Sequence, residues 1–185
     1  YIFLEPGEDI LTIRGYFRTF SFRQTDAWLN GADITASYQW NHYLLSTLKG
    51  SLLRARDQSR SDWLIGMPAD RLTYSMKYTR SLHEHWQEAF AGFDAKYVAR
   101  QTRIPGHFDD IDFPRPPADY FLLSFSAGVR RIFGTQPVYL AVDVSNLLNV
   151  RYRDYLDAFR YFLDQPGTNI ALRVRVPFER AKANH

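Results

Sequence analysis

The sequence predicts an all-β fold, namely an antiparallel transmembrane β-barrel segment of about eight strands. Apolar and polar residues alternate in one stretch after another along the 185 residues, and a period of two puts the two sets on opposite faces of a strand. The connections between these stretches alternate between short and long, as they do in outer-membrane barrels. Aromatic residues make up 16% of the chain, a share that suits a β core or the aromatic girdles of a membrane barrel.

The closing stretch, residues 167–178, shows the alternation most clearly. One face of this strand would be apolar, and the other would carry Arg173 and Arg175. In a soluble sandwich the apolar face would pack on a second sheet. In an outer-membrane barrel it would meet lipid, and the two arginines would face a wet lumen. The apolar set is Ile170, Leu172, Val174, Val176 and Phe178.

Seven further stretches predict strands before the closing one. Residues 10–20 alternate poorly and are predicted to form a folded loop or a hairpin above the sheet. Asn30-Gly31 would form a bulge rather than a hairpin, because the strand pattern continues on both sides of it. The proline-rich segment 104–117 cannot be a ladder strand. The predicted strands span residues 1–4, 21–40, 43–56, 71–79, 86–102, 120–131, 138–144 and 170–178.

The turns between these strands are of two kinds that alternate strictly. Because neighbouring strands run antiparallel, all the short turns would lie at one end of the sheet and all the long loops at the other. Amphipathic rings suit the headgroup depth at the short-turn end, where we expect Tyr38, Trp40, Tyr43 and Tyr78. The short turns lie near residues 41–42, 80–85 and 133–137, and the long loops near 5–20, 57–70, 103–118 and 151–167.

Charge, cysteine content and hydropathy exclude several classes of protein. The 23 basic and 20 acidic residues are spread along the chain, so no basic block indicates a nucleic-acid partner. The chain has no cysteine, and hence no disulfide framework or thiolate metal site. The mean hydropathy of −0.37 and the lack of any run near ~18 apolar residues exclude a helical membrane bundle. A soluble β-sandwich or barrel that binds an apolar ligand is one alternative.

No pattern indicates an enzyme. We find no Ser–His–Asp set, isolated carboxylate pair or phosphate loop, and we expect neither a metal nor a cofactor. His83-Glu84-His85 lies in a short polar turn with no third ligand nearby, which favours a solvated turn over a metal site. Ligand contacts are expected in the long loops. The acidic residues of segment 104–117 could hold Ca²⁺ through their oxygens, but their spacing favours an ordinary polar loop. The candidate contact residues are Arg103, His107, Asp109, Asp110 and Asp112.

Five basic residues are predicted on the lumen-facing side of the strands. They could line the path of an anionic ligand. The favoured interpretation is that they pair with acids on neighbouring strands or on a plug, with Asp94, Asp143 and Asp33 as candidates. The five basic residues are Lys77, Lys96, Arg130, Arg173 and Arg175.

Short motifs in the C-terminal third occur in a particular order. Val144–Asn149 reads VSNLLN, Tyr152 follows, and Pro166–Ile170 reads PGTNI before the closing alternation. Upstream, Met67–Arg71 reads MPADR, which is similar to a P-x-x-R turn into a strand. With these motifs the chain resembles TonB-dependent outer-membrane receptors over nearly its whole length. Two residues depart mildly from that family's pattern, since Leu148 stands where Phe is common and Thr168 where Arg is common.

The resemblance implies the C-terminal part of a plugged barrel of about 22 strands, of which this chain would supply about a third. Residues 1–178 would be barrel, and residues 179–185 a polar tail. The chain begins inside a strand at Tyr1, which suggests a fragment. In that family the last strand ends on an aromatic residue that the barrel-assembly machinery reads, and here the tail follows Phe178. The resemblance therefore makes residues 170–178 the assembly-signal strand.

The same resemblance implies a non-enzymatic receptor in the cell outer membrane. It would take up a scarce nutrient of the siderophore, cobalamin or glycan type with energy supplied through TonB. The implied partners are outer-membrane lipid, an N-terminal plug and the remaining strands of the same parent chain, the TonB complex, and the barrel-assembly machinery. The alternative in this class is a stand-alone eight-stranded outer-membrane protein acting as an anchor, adhesin or small pore.

Overall fold

The computed structural model describes residues 2–6, 10–17, 20–82, 86–106, 115–134 and 136–177. These residues form β-strands and one short 3₁₀ helix, Ala158–Tyr161. No helix in this part of the chain is long and apolar enough to cross a membrane. The strands are β1 (Ile2–Pro6), β2 (Ile10–Thr12), β3 (Gly15–Phe17), β4 (Phe20–Gln24), β5 (Ala27–Asn41), β6 (Leu44–Asp57), β7 (Asp62–Trp63), β8 (Arg71–Ser81), β9 (Trp86–Val98), β10 (Tyr120–Phe133), β11 (Gln136–Ser145) and β12 (Asn169–Arg175).

The main sheet has eight strands, and its neighbours run antiparallel. Its order is β12-β11-β10-β9-β8-β6-β5, and β7 pairs with β6. The all-β antiparallel prediction of about eight strands is confirmed, although the eighth strand is the short β7 rather than the opening stretch. Within the described residues β5 and β12 each pair on one side only, so the sheet is open.

The first long predicted strand is broken in two. At Thr25 the chain leaves β4, which pairs with β1, and then enters β5 of the main sheet. The hydroxyl of the buried Thr25 donates a hydrogen bond of 2.6 Å to Asp57 Oδ1 at the end of β6, so this break is fixed by a side-chain contact. The predicted hairpin within residues 10–20 is confirmed, since β2 pairs with β3.

The predicted bulge at Asn30-Gly31 is wrong. Gly31 stays in regular register opposite Leu53, and the irregularity lies farther along, between Gln39 and Asn41. A side chain at residue 31 would place its Cβ 2.9 Å from the Leu52 carbonyl oxygen. The glycine therefore allows close approach of the neighbouring strand rather than an extra residue.

Two strands end earlier than their alternation predicts. β12 ends at Arg175, which pairs with Tyr139, so Val176 lies beyond the strand and Phe178 lies outside the described residues. In continued register Pro177 would face Pro137, and neither proline has an N–H for the ladder. β9 ends at Val98 rather than at residue 102, because the next stretch turns towards the loop before β8.

The register aligns the apolar sets of all seven long strands on one side of the main sheet. Ile34 pairs with Gly50 on the next strand, and Gly50 pairs with Leu72. The same row of paired residues continues through Tyr97 to Phe121. We call this side the apolar face. It carries Ile34, Ala36, Tyr38, Leu44, Leu48, Leu52, Leu72, Tyr74, Met76, Tyr78, Ala89, Ala91, Phe93, Ala95, Tyr97, Phe121, Leu123, Phe125, Ala127, Val129, Val138, Leu140, Val142, Val144, Ile170, Leu172 and Val174.

The opposite side, the polar face, has hydroxyl and carboxylate rows. One row crosses five strands through Ser37, Thr47, Ser75, Asp94 and Ser124. The Ser37 and Thr47 hydroxyls lie 3.1 Å apart, and the Ser75 hydroxyl donates to Asp94 Oδ1 at 2.5 Å. Hydrogen bonds between neighbouring strands thus satisfy polar groups that no second sheet covers in the described residues.

In the described residues, the buried hydrophobic side chains form two clusters at the long-loop edge of the sheet. One small cluster contains Leu64 and Met67 against Ala55 of β6, and a second joins Ala69, Val98 and Tyr120. Both clusters lie where the loops after β6, β9 and β11 fold over the polar face. Among the described residues, the middle of the sheet is a single layer.

Candidate functional site

An aromatic group lies at the short-turn end of the apolar face, as predicted. The rings of Tyr43 and Tyr78 are 6.0 Å apart, and those of Tyr38 and Trp40 pack edge to face at 4.9 Å. All four side chains are exposed. Rings of this kind, with a polar group at the end of an apolar body, are typical of a membrane–water interface.

Trp40 covers the hydroxyl of Ser46 on the apolar face. Ser46 is 7% exposed, and the Trp40 indole N–H donates to its Oγ at 3.0 Å. Ser46 Oγ also lies 3.4 Å from the Tyr38 carbonyl oxygen. Because of the irregularity between Gln39 and Asn41, Trp40 has no partner residue in the register. The unpaired Trp40 is the residue that donates to the Ser46 hydroxyl.

A second aromatic group continues the same edge and was not predicted. The Arg131 guanidinium lies 4.6 Å from the ring centre of Trp86 and 4.6 Å from that of Phe133. Both aromatic residues are exposed and flank short turns. The position of Trp86 and Phe133 beside short turns could have predicted this second aromatic group. It was missed because Arg131 interrupts the apolar alternation of its strand.

All five predicted basic residues lie on the polar face of the sheet. Arg173 pairs with Asp143 at 2.6 Å on the neighbouring strand, one of the acids expected as partners. Lys77 lies 5.2 Å from the Phe90 ring centre, and Arg130 lies 5.4 Å from that of Tyr139. These contacts hold Arg173, Lys77 and Arg130 against neighbouring strands. That this face lines a lumen stays a prediction.

Of the five candidate contact residues, Arg103 alone lies in the described part of the chain. Its Nη2 donates to Asp70 Oδ1 at 2.8 Å, and Arg54 contacts both oxygens of the same carboxylate at 2.7 and 2.9 Å. The hydrogen bond from Arg54, more than the nearby charges, lowers the pKa of the Asp70 carboxyl. Outside the described residues lie His107, Asp109, Asp110 and Asp112, together with the turn His83-Glu84-His85.

The loop between β11 and β12 is anchored on the polar face at its long-loop edge. The Tyr120 hydroxyl donates to Asp154 Oδ2 at 2.8 Å, and its ring lies 4.4 Å from that of Tyr152. Tyr155 is buried beside this contact, and burial raises the pKa of its phenol. The same loop borders a cavity of about 190 Å³ that sequence reasoning did not predict, because it joins residues from two separate loops.

The two motif segments of the C-terminal third contact each other. Asn146, 4% exposed, uses its amide N–H groups toward the carbonyl oxygens of Val150 and Pro166. Its amide oxygen accepts from the Val150 N–H at 2.9 Å. Gly167 leaves room for the Asn149 amide oxygen, which would meet a Cβ at that position. The VSNLLN and PGTNI motifs therefore form one turn structure at the start of β12.

No metal site was expected, and the described residues contain no group of three or more His, Cys, Asp or Glu side chains that could hold a metal ion. The cavity of about 190 Å³ is instead lined by Arg115, Arg153 and Arg160. The positive charge of these arginines favours anions over cations.

Comparisons with known proteins establish the fold. No protein-family model matches this sequence, and no curated protein matches it. Seven chains of solved structures match. One of them is the copper transporter OprC, with a TM-score of 0.72 and 20% sequence identity over 94% of this chain. The chain spans 26% of the length of that structure. At this identity the likeness shows a shared antiparallel barrel-type sheet.

Proposed function

We propose that this chain is part of the barrel wall and outer loops of an active-transport receptor in the cell outer membrane. The observation that carries the proposal is that the described residues of the main sheet form a single layer over its middle, with one continuous apolar face and one polar face. Water would disfavour such an uncovered apolar face, whereas lipid would favour it. β5, β6, β9 and β10 have 15, 14, 13 and 14 residues, more than the ~9–11 that cross a hydrocarbon layer.

The orientation follows from the two ends of the sheet. Short turns with aromatic neighbours would face the periplasm, and the long loops that fold over the polar face would face outside. In this proposal the described strands continue into further strands of the same parent chain, whose plug fills the space beside the polar face. The likeness to OprC supports a transporter rather than an enzyme. TonB would supply the energy, as the motif resemblance implies.

The remaining parts of the proposal rest on sequence alone. Residues 170–178 would carry the signal read by the barrel-assembly machinery, and residues 179–185 would be tolerated behind it. The transported compound would be a scarce nutrient, of the siderophore, cobalamin or glycan type that the resemblance implies. We do not carry over the copper named for OprC, since a likeness at 20% identity shows the fold alone.

Cell fractionation and uptake test this proposal together. The native gene product is expected in the outer-membrane fraction, and its deletion should abolish uptake of one nutrient. Collapse of the inner-membrane proton gradient should abolish the same uptake while leaving passive porin flux unchanged. A product found in a soluble fraction, or uptake that survives loss of the gradient, contradicts the proposal.

A further inference from the structure

Arginines from two long loops line one cavity near the polar face. The cavity has a volume of about 190 Å³ and lies between the β9–β10 and β11–β12 loops. No carboxylate occurs among the described residues that line it. We call it the arginine cavity, and its lining residues are Arg115, Pro117, Arg153, Arg160 and Tyr161.

Aromatic and main-chain contacts hold two of the guanidinium groups in place. The Arg160 guanidinium lies 4.2 Å from the Tyr155 ring centre and 4.7 Å from that of Tyr161. Arg153 Nη1 donates to the Arg160 carbonyl oxygen at 2.9 Å. Stacking on tyrosine faces orients a guanidinium without neutralising its charge. The donors of the cavity are therefore arranged before any ligand arrives.

The charges of the described residues around the arginine cavity are not balanced. Arg153 pairs with Asp164 through a contact of 2.6 Å between Nε and Oδ1, with both side chains more than a third exposed. In the described part of the chain, neither Arg115 nor Arg160 forms an ion pair. Among the described residues, three cations thus meet one partly exposed carboxylate. Repulsion among them would be relieved by an anion in the cavity.

We infer that the arginine cavity binds an oxyanion group, carboxylate or phosphate, of the solute that the receptor takes up. The inference rests on the proposed function and narrows its substrate class to anionic compounds. The planar guanidinium fork matches both kinds of oxyanion, and two or three such forks can surround one group. The loop bearing Arg153 and Arg160 is anchored to Tyr120 on the polar face, so the group would bind where a solute enters the proposed lumen.

Calorimetric titration of the full-length native protein in detergent tests the inference. Citrate and inorganic phosphate serve as oxyanion probes, and glucose as a neutral one. Arg115→Gln is the main variant because Arg115 is exposed and forms no ion pair in the described residues. Arg160→Gln is the second. Arg151→Gln is the matched control, since Arg151 is exposed in the same loop as Arg153 but does not line the cavity.

At least one oxyanion probe should bind, and glucose should not. The affinity should fall about tenfold in Arg115→Gln and Arg160→Gln, as expected for loss of one charge-assisted contact, and Arg151→Gln should stay at the native value. Failure of both probes to bind overturns the inference, as does equal weakening in the control. Binding to anionic lipid vesicles alone also overturns it, because the cavity would then recognise a headgroup.

Uptake separates this inference from the function on which it depends. If Arg115→Gln leaves probe binding unchanged while energised uptake continues, the inference falls and the proposed function stands. If the probes bind as expected but uptake does not require the proton gradient, the cavity is an anion site and the proposed transport mechanism is wrong.

Discussion

The hydroxyl of Thr168 donates a hydrogen bond of 2.8 Å to the main-chain carbonyl oxygen of Asn146. The bond joins the residue before β12 to the residue after β11. The Thr168 N–H also contacts Asn149 Oδ1 at 3.2 Å. Thr168 occupies the position where the resembled family commonly has Arg, and here its short side chain closes the turn internally.

Replacing Asn146 should destabilise the fold more than its size suggests. The residue has a φ of 49° and is buried with both amide atoms bonded. Asn146→Ala combines left-handed strain with lost hydrogen bonds, and should lower the free energy of unfolding by about 2–4 kcal/mol. Urea unfolding of the protein in detergent, followed by tryptophan fluorescence, measures the change.

Asn146→Gly separates the two causes, because glycine accepts the backbone conformation but makes no side-chain bonds. It should be about 1 kcal/mol more stable than Asn146→Ala. Equal losses in the two variants would mean that backbone strain contributes nothing at this turn.

The two faces of the sheet could be predicted from the sequence, because a period of two fixes the sides of each strand and the register follows when one side is apolar throughout. Leu72 and Phe125 lie where alternation put them. The position of the irregularity could not be predicted, since Gly31 and Trp40 are both compatible with one. The arginine cavity was also missed. It depends on how Arg115 and Arg160, from separate loops, approach each other, and no local pattern encodes that distance.

Lipid exposure should alternate along β8. The chain has no cysteine, so a single fluorophore can be attached to Leu72→Cys, Tyr74→Cys, Thr73→Cys or Ser75→Cys. In bilayers with lipid-borne quenchers, the labels at 72 and 74 should be quenched strongly because these residues lie on the apolar face, and those at 73 and 75 only weakly.

Detergent-solubilised protein with a water-soluble quencher is the complementary control, in which the order of quenching at Leu72 and Thr73 should reverse. Equal quenching by lipid at both positions would contradict a membrane-facing apolar side and favour the soluble β-barrel alternative.

The contact between Trp40 and Ser46 should be measurable as a coupling energy. Trp40→Phe keeps an aromatic ring but removes the indole donor, which leaves the buried Ser46 hydroxyl with one hydrogen bond fewer. The free energy of unfolding should fall by about 1 kcal/mol. In a Ser46→Ala background, Trp40→Phe should lower the free energy of unfolding by clearly less.

Trp28→Phe is the matched control, since Trp28 is exposed near the opposite end of β5. The loss of unfolding free energy caused by Trp28→Phe should be the same in the native protein and in the Ser46→Ala background. A Trp40→Phe effect that does not depend on residue 46 would show that the indole acts through burial rather than through the hydrogen bond.

The charge of Asp70 should make the fold sensitive to acid. Hydrogen bonding from Arg54 holds the pKa of this carboxyl below its ordinary value of 3.8, against the opposing effect of burial. A carboxyl whose pKa is lower in the folded state stabilises that state above the unfolded pKa, and the contribution disappears as the pH falls through the folded pKa. The stabilisation should therefore be complete at pH 6–7 and be lost below about pH 4.

Asp70→Asn should remove this part of the pH dependence. At pH 7 the variant should lose about 1–2 kcal/mol of unfolding free energy, because Arg54 and Arg103 each lose an ionised acceptor at a partly exposed site. As the pH falls through the folded pKa of Asp70, the variant and the native protein should converge. Asp33→Asn removes a carboxylate at an exposed position on the polar face without touching Arg54 or Arg103, and it should not reproduce the loss at pH 7. If the gap between Asp70→Asn and the native protein stayed constant at every pH down to acid unfolding, the ion pair with Arg54 would not be the cause of the stabilisation.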